Sequence, residues 1–137
     1  MNPKTTTIEE FYNLIDEHPE LTVEGFGVQS HPWNYETRRS QLYNQFEPFQ
    51  ASMDFLSNEK NYAHLEDDMR GSFRLAHVIG EYWFNLNERN LFISEGAVIA
   101  ALIHLGLPYK RVDNSPGIVL DVQNQIKELM EYDSNRK

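Results

Sequence analysis

The side chains of His77 and Glu81 are of types that could form a catalytic or metal-binding pair. They are four residues apart in a segment predicted to be helical, so they lie on one helix face. An imidazole and a carboxylate placed in this way could hold a metal ion, or act as a general base and the group that orients it. A metal site would need further ligands, for which His64 and the acidic residues 66–68 are an upstream source. The simpler interpretation is a structural hydrogen bond at the edge of the core, and we expect that role.

Ser94 is the best-placed candidate for a nucleophile, because catalysis by a hydroxyl needs a neighbouring base. Ser72 and Asp113 could converge on the same pocket as His77 and Glu81. Ser94 also suits the N-cap of a helix, which explains it without catalysis. The sequence contains no Gly-x-Ser-x-Gly elbow, phosphate-binding loop or dinucleotide fingerprint. It also contains no cysteine, which excludes a thiolate zinc site and a cysteine nucleophile. We therefore expect no cofactor, no bound metal and no enzymatic activity, and we keep His77, Glu81 and Ser94 as the catalytic candidates.

The charge balance argues against nucleic acid as a partner. The chain has 21 acidic and 12 basic residues and a formal net charge of −9. A protein gains affinity for a phosphate backbone by replacing counterions with Lys and Arg, and this chain would be repelled overall. Two basic pairs are internal, Arg38–Arg39 and Lys110–Arg111. The second pair lies in a predicted hairpin that follows two helices, which keeps a winged-helix DNA-binding protein as an alternative.

Hydrophobic periodicity predicts one mainly helical α+β domain over residues 1–137, with about five helices and a small antiparallel β-hairpin near the C-terminus. A third short strand is predicted over Leu91–Ile93. The hairpin strands are Tyr109–Asp113 and Ile118–Val122, joined by a Pro-Gly turn. The predicted helices cover 7–17, one long helix in two pieces over 34–46 and 48–57, then 72–84, 95–105 and 123–132.

The helix boundaries follow from capping residues and breakers. Thr7 followed by Glu10 forms a capping box, and Ser72 and Ser94 are predicted N-caps. Pro48 interrupts one long apolar stripe, and Gly106 ends the helix that Ser94 begins. The segment 72–84 is apolar around most of its circumference. We expect that helix to be largely buried, with Phe73 on the face shared with Ala76, Gly80 and Trp83.

Features of membrane and secreted proteins are missing from the sequence. The longest apolar run, Ala97–Ile103, is too short to span a bilayer. The first seven residues lack the basic and apolar regions of a signal peptide. We therefore expect a cytoplasmic location and no membrane partner.

The stretch from Ser72 to Asp121 contains several short motifs: Ser72–His77 with Glu81, Phe92–Gly96 leading into Ile99–Ala101, and Ser115–Pro116. Together these motifs resemble small uncharacterised proteins carried on bacterial prophages and plasmids, over about half of the chain. The sequence departs from their pattern at Phe73, Glu95 and Gly117. The resemblance implies a mobile-element origin and no particular activity.

The leading functional hypothesis is a non-enzymatic protein-interaction module, encoded by a prophage or plasmid and acting on a host or defence protein. The expected partner-binding residues are Trp33, Tyr35, Lys110 and Arg111, with Tyr43, Tyr62 and Tyr109 as further aromatic anchors, because aromatic residues and Arg dominate interface hot spots. The chain itself should be a monomer or a homodimer. A small enzyme or metal-binding domain centred on His77 and Glu81, and the winged-helix protein, remain the alternatives.

Overall fold

The computed structural model describes residues 6–26, 35–62, 65, 71–111 and 116–121. In this part of the chain the fold is mainly helical α+β, as predicted. Its helices are α1 (Ile8–Glu17), α2 (Tyr35–Tyr43), α3 (Phe46–Leu56), α4 (Ser72–Asn87) and α5 (Glu95–Leu105). Its strands are β1 (Leu21–Thr22), β2 (Gly25–Phe26), β3 (Tyr109–Arg111) and β4 (Ile118–Leu120). The predicted helix over 123–132 lies outside the described residues.

Helix α5 forms the centre of the core. Each residue from Gly96 to Leu102 is buried, and the helix packs against α1, α3, α4 and β2. Its predicted limits are confirmed: the Ser94 hydroxyl accepts a hydrogen bond from the Ala97 amide at 3.1 Å, and Gly106 ends the helix with a φ of 70°. None of the described helices combines the length and the apolar character needed to cross a bilayer.

Gly96 lets the backbone of β1 approach α5 closely. A Cβ at this position would overlap the carbonyl oxygen of Thr22 and lie 3.0 Å from Leu42 Cδ1. The Gly96 amide also donates to the Val23 carbonyl at 3.1 Å. Glycine is therefore required here by space, because there is no room for a side chain.

The N-terminal helix is capped as predicted and is tied to α2 by one side chain. The Glu10 amide donates to the Thr7 hydroxyl at 3.2 Å, and the helix ends at Glu17. The Arg39 guanidinium, on α2, donates to three backbone carbonyls at the end of α1 and the start of β1. These acceptors are Ile15, His18 and Leu21, at 3.0, 2.9 and 2.7 Å. The Ile15 and His18 carbonyls also accept backbone N–H groups, at 3.1 and 3.0 Å, so Arg39 provides each of them with a second donor.

The predicted interruption of the long apolar stripe is confirmed, although Pro48 does not mark the break itself. Helix α2 ends at Tyr43, and α3 begins at Phe46. Pro48 therefore lies in the first turn of α3, where its missing N–H removes no intrahelical hydrogen bond.

Two predictions for α4 are wrong. Its N-cap is Gly71, and Ser72 is the first helical residue instead of the cap. The helix is also less buried than its apolar sequence suggested. Its buried residues are Ser72, Leu75, Ala76 and Ile79, while Phe73 is 61% exposed. The face that contacts α3 and α5 is therefore the side of Leu75 and Ile79, and Phe73 lies outside it.

Two small antiparallel pairs complete the fold. Strands β3 and β4 form the predicted C-terminal hairpin, with Tyr109 opposite Leu120. Strands β1 and β2 form a second pair, with Leu21 opposite Phe26. Residues 91–93 contain no strand, so that prediction is wrong.

Candidate functional site

An open groove of about 950 Å³ runs beside α4. Its walls are one face of α4, the residues 90–95 that lead into α5, the end of α2 with the α2–α3 junction, and the β1–β2 turn. This volume lies in the range of known ligand-binding pockets. The described lining residues are Val23, Glu24, Gln41, Asn44, Gln45, Phe73, Ala76, His77, Gly80, Glu81, Phe84, Asn85 and Asn90–Glu95.

Three phenylalanines border the groove and remain open to solvent. Phe73 is 61%, Phe84 46% and Phe92 75% exposed. Phe73 and Phe84 are eleven residues apart on the same helix, a rise of about 16 Å, or three turns. Single exposed apolar side chains are ordinary, but several that share one concave surface indicate an interaction site.

Glutamates dominate the charged side chains of the groove. Glu24, Glu81 and Glu95 line it, and no Lys or Arg does so among the described lining residues. Glu24 forms an ion pair with Arg38, which lies outside the lining. The Glu95 Oε1 accepts a hydrogen bond from the Ser72 hydroxyl at 2.8 Å. Glu81 is exposed.

The two serines proposed for catalysis are engaged in structural hydrogen bonds. The Ser94 hydroxyl caps α5, and its amide donates to Gln45 Oε1 at 3.2 Å, which fixes the groove wall to the α2–α3 junction. The Ser72 hydroxyl donates to Glu95 and accepts from the Ile118 amide at 3.1 Å, so one buried group links α4, α5 and β4. Asp113 lies outside the described residues.

His77 and Glu81 both line the groove, on the exposed side of α4. The His77 ring contacts Phe73 edge to face, with 4.9 Å between ring centroids. No hydrogen bond joins His77 to Glu81 in the described part of the chain. Among the same residues, no three His, Asp or Glu side chains are arranged to hold a metal ion. The groove therefore brings together the predicted polar residues His77, Glu81 and Ser94, but as separate groups.

The side of α4 that faces α3 is held by a partly buried polar contact. The Tyr82 hydroxyl donates to Asp54 Oδ2 at 2.6 Å. Burial, and then this hydrogen bond to a carboxylate, raise the pKa of Tyr82 to about 12. The hydroxyl is therefore protonated at neutral pH and anchors α4 to α3.

Two of the partner-binding residues proposed from sequence, Lys110 and Arg111, are not among the described residues that line the groove. Lys110 and Arg111 are exposed on β3; Lys110 Nζ lies 3.8 Å from Asp121 Oδ2, and the Arg111 guanidinium lies 4.5 Å from the centroid of the Phe26 ring. Tyr35 is the first residue of α2, and Trp33 lies outside the described residues.

The other aromatic anchors proposed from sequence are at least partly buried. Tyr62 is 2% exposed and belongs to the core, so it is unsuited to contact a partner. Tyr43 is half-buried and donates a hydrogen bond to Asp16. Tyr109 is half-buried and stacks on Phe26.

Sequence reasoning missed Phe84, Phe92, Gly80 and Glu95 as residues of one surface. Part of the signal was present, because Phe73, His77 and Phe84 recur at helical spacing and Phe92 follows a polar loop. The position of residues 90–95 beside α4 depends on long-range contacts that this spacing does not encode. No protein-family model matches this chain, and no curated protein or solved structure is significantly similar to it.

Proposed function

We propose that this chain is a non-enzymatic protein-interaction domain that binds a segment of a partner protein in the α4 groove. The observation that carries the proposal is the exposure of Phe73, Phe84 and Phe92 around a single concave surface. Aromatic side chains that are exposed in the free protein and buried on binding provide most of the affinity in many interfaces.

The walls of the groove support the same proposal. The Ser94 amide donates a hydrogen bond to Gln45 at the groove wall, and Glu95 accepts one from the Ser72 hydroxyl. Both bonds hold residues 94–95 in place before a partner arrives. A preorganised surface loses little conformational entropy on binding, which favours affinity.

The resemblance of Ser72–Asp121 to prophage and plasmid proteins favours a bacterial host or defence protein as the partner. This stretch contributes most of the groove, from Phe73 to Glu95. Under this proposal the chain modulates its partner by occupying a surface of it.

The test is a tagged pull-down from a bacterial lysate treated with nuclease, read by mass spectrometry. The wild-type chain is compared with the double variant Phe73→Ser, Phe92→Ser and with the control Leu86→Ser. Leu86 is 61% exposed on the same helix but does not line the groove. We expect one stoichiometric protein that the wild type and the control retain and the double variant loses. Equal retention by all three chains would refute the groove as the binding surface.

One observation favours a small enzyme as a second candidate: His77, Glu81 and Ser94 line the same groove. The commitment of the Ser94 hydroxyl to the α5 cap counts against it. Titration of the wild type and of the variant His77→Ala with Zn²⁺, followed by calorimetry, tests the metal-binding form of this idea. Saturable binding that disappears in the variant would support it.

The winged-helix alternative has less support. A recognition helix must present side chains to the DNA groove, whereas α5 is buried from Gly96 to Leu102. The basic residues Lys110 and Arg111 on β3 are the feature that still favours DNA binding. DNA binding that is lost in the double variant Lys110→Ala, Arg111→Ala would revive it.

A further inference from the structure

The charge of the groove restricts the chemistry of its partner. Three glutamates line it, and the described lining contains neither Lys nor Arg. Arg38 neutralises Glu24, which leaves Glu81 and Glu95 without a basic side chain as partner among the described residues. The whole chain, with these glutamates included, has a formal net charge of −9. Such a surface attracts a cationic partner and repels an acidic one.

The shape of the groove restricts the form of its partner. Phe73 and Phe84 lie about 16 Å apart along α4, which matches three turns of an opposing helix. The walls are formed by helices, by residues 90–95 and by the β1–β2 turn. None of the described lining residues belongs to a strand, so this lining offers no strand edge to an extended peptide. An amphipathic helix binds such a groove through apolar side chains spaced three and four residues apart.

We propose that the α4 groove binds a cationic amphipathic helix of about three turns from the partner protein. Its apolar face packs on Phe73, Phe84 and Phe92, and its Lys or Arg side chains pair with Glu81 and Glu95. This inference rests on the proposed function of the groove, and it adds the class of segment that the groove selects.

The experiment is a selection of random 16-residue peptides, displayed on phage, on the immobilised full-length chain. Enriched peptides are synthesised, and their affinities are measured by fluorescence anisotropy against the wild type and three variants. The variants are the Phe73→Ser, Phe92→Ser double variant, Glu81→Lys, and the control Glu20→Lys. Glu20 is exposed and does not line the groove, so its reversal makes the same change in net charge at another site.

We expect the enriched peptides to carry a net positive charge and to become helical on binding, as seen by circular dichroism. The double variant should bind these peptides with an affinity lower by about 10-fold or more, since it lacks two aromatic anchors. Glu81→Lys should lower the affinity for the peptides by about 3- to 10-fold, because one exposed ion pair is replaced by a repulsive pair. Glu20→Lys should lower it less.

The other outcomes separate this inference from the proposed function. Peptides that depend on the phenylalanines but are neutral, acidic, non-helical or indifferent to Glu81→Lys would overturn the cationic helix and leave the groove as a binding site. If no enriched peptide depends on the phenylalanines, both proposals fail. Sedimentation of the chain alone tests self-association: a dimer that the double variant dissociates would assign the groove to a second copy and overturn the inference.

Discussion

Helices α4 and α5 are both rich in apolar residues, but they have different surroundings. Helix α5 is buried from Gly96 to Leu102, whereas α4 buries the side of Leu75 and Ile79 and exposes Phe73 and Phe84. A helix that is apolar all round is normally enclosed by the core. The comparison shows that α4 has more apolar surface than its packing against α3 and α5 uses. The unused part faces the groove, and this is why we regard it as a functional surface.

The largest expected difference between the buried core and the exposed groove is in the free energy lost when a phenylalanine is removed. Phe49, which is fully buried on α3, and Phe92, which is 75% exposed in the groove, allow the same substitution to be compared. Phe49→Ala should lower the free energy of unfolding by about 3–5 kcal/mol, because it leaves a cavity. Phe92→Ala should change it by less than about 0.5 kcal/mol. Urea unfolding measures both, and a large loss for Phe92→Ala would show that this residue supports the fold.

Gly96→Ala tests how tightly α5 is enclosed. The added methyl group would overlap the Thr22 carbonyl, so the β1 backbone must shift. We expect a loss of about 1–3 kcal/mol in the free energy of unfolding, even though Ala favours helices more than Gly does. Urea unfolding is again the measurement. Unchanged stability would mean that β1 and α5 are not in close contact.

Tyr82→Phe tests the side of α4 that contacts α3. Loss of the hydrogen bond to Asp54 should cost about 0.5–1.5 kcal/mol at neutral pH. The pKa of Tyr82 in the folded chain, about 12, lies above the ordinary value of 10.0, so the unfolded chain releases this proton first as pH rises. The stability that Tyr82 contributes is therefore complete below pH 10 and is lost between about pH 10 and pH 12.

Urea-unfolding midpoints measured from pH 9 to pH 12 test whether this contribution to stability falls as pH rises. The Tyr82→Phe variant should lose less stability over that range than the wild type. Tyr12→Phe, at an exposed position on α1, provides the control. Parallel pH profiles for the wild type and Tyr82→Phe would contradict the assignment.

Gly80→Ala should have a small effect on the fold, and it should have the opposite sign to Gly96→Ala. A Cβ at Gly80 would lie 3.8 Å from the Leu91 carbonyl, an ordinary van der Waals contact. The substitution should raise the free energy of unfolding by about 0.5–1 kcal/mol, because Gly is a poor helix residue. It also adds a methyl group to the groove, so partner binding should weaken. Greater stability with unchanged binding would show that the partner does not reach this part of α4.

Local sequence signals were sufficient for the ends of several elements. Thr7 and Ser94 cap their helices as predicted, and Gly106 ends α5. The C-terminal hairpin also forms in the predicted place. Each cap or turn depends on residues a few positions apart in the chain, so it can be predicted from the sequence alone.

The surface of the groove could not be predicted in the same way. Periodicity shows that α4 is apolar, but it does not determine which side faces the core when most sides are apolar. Phe73 does share a face with Ala76 and Gly80, as predicted, but it is 61% exposed in a helix that is predicted to be largely buried. The hydroxyl of Ser72 was assigned to a local cap, whereas its partners, Glu95 and Ile118, are 23 and 46 residues away. Only the tertiary arrangement brings these groups together.

The Arg39 guanidinium, bonded to the carbonyls of Ile15, His18 and Leu21, has a consequence for cooperativity. The end of a short helix normally frays independently of the rest of a protein. Here fraying of α1 would leave the planar cation with fewer acceptors while it stays attached to α2. Lys could not replace Arg39, because a single ammonium group lacks the fork of donors that reaches three acceptors. The last turn of α1, β1 and α2 should therefore open as one unit and exchange their amide protons together.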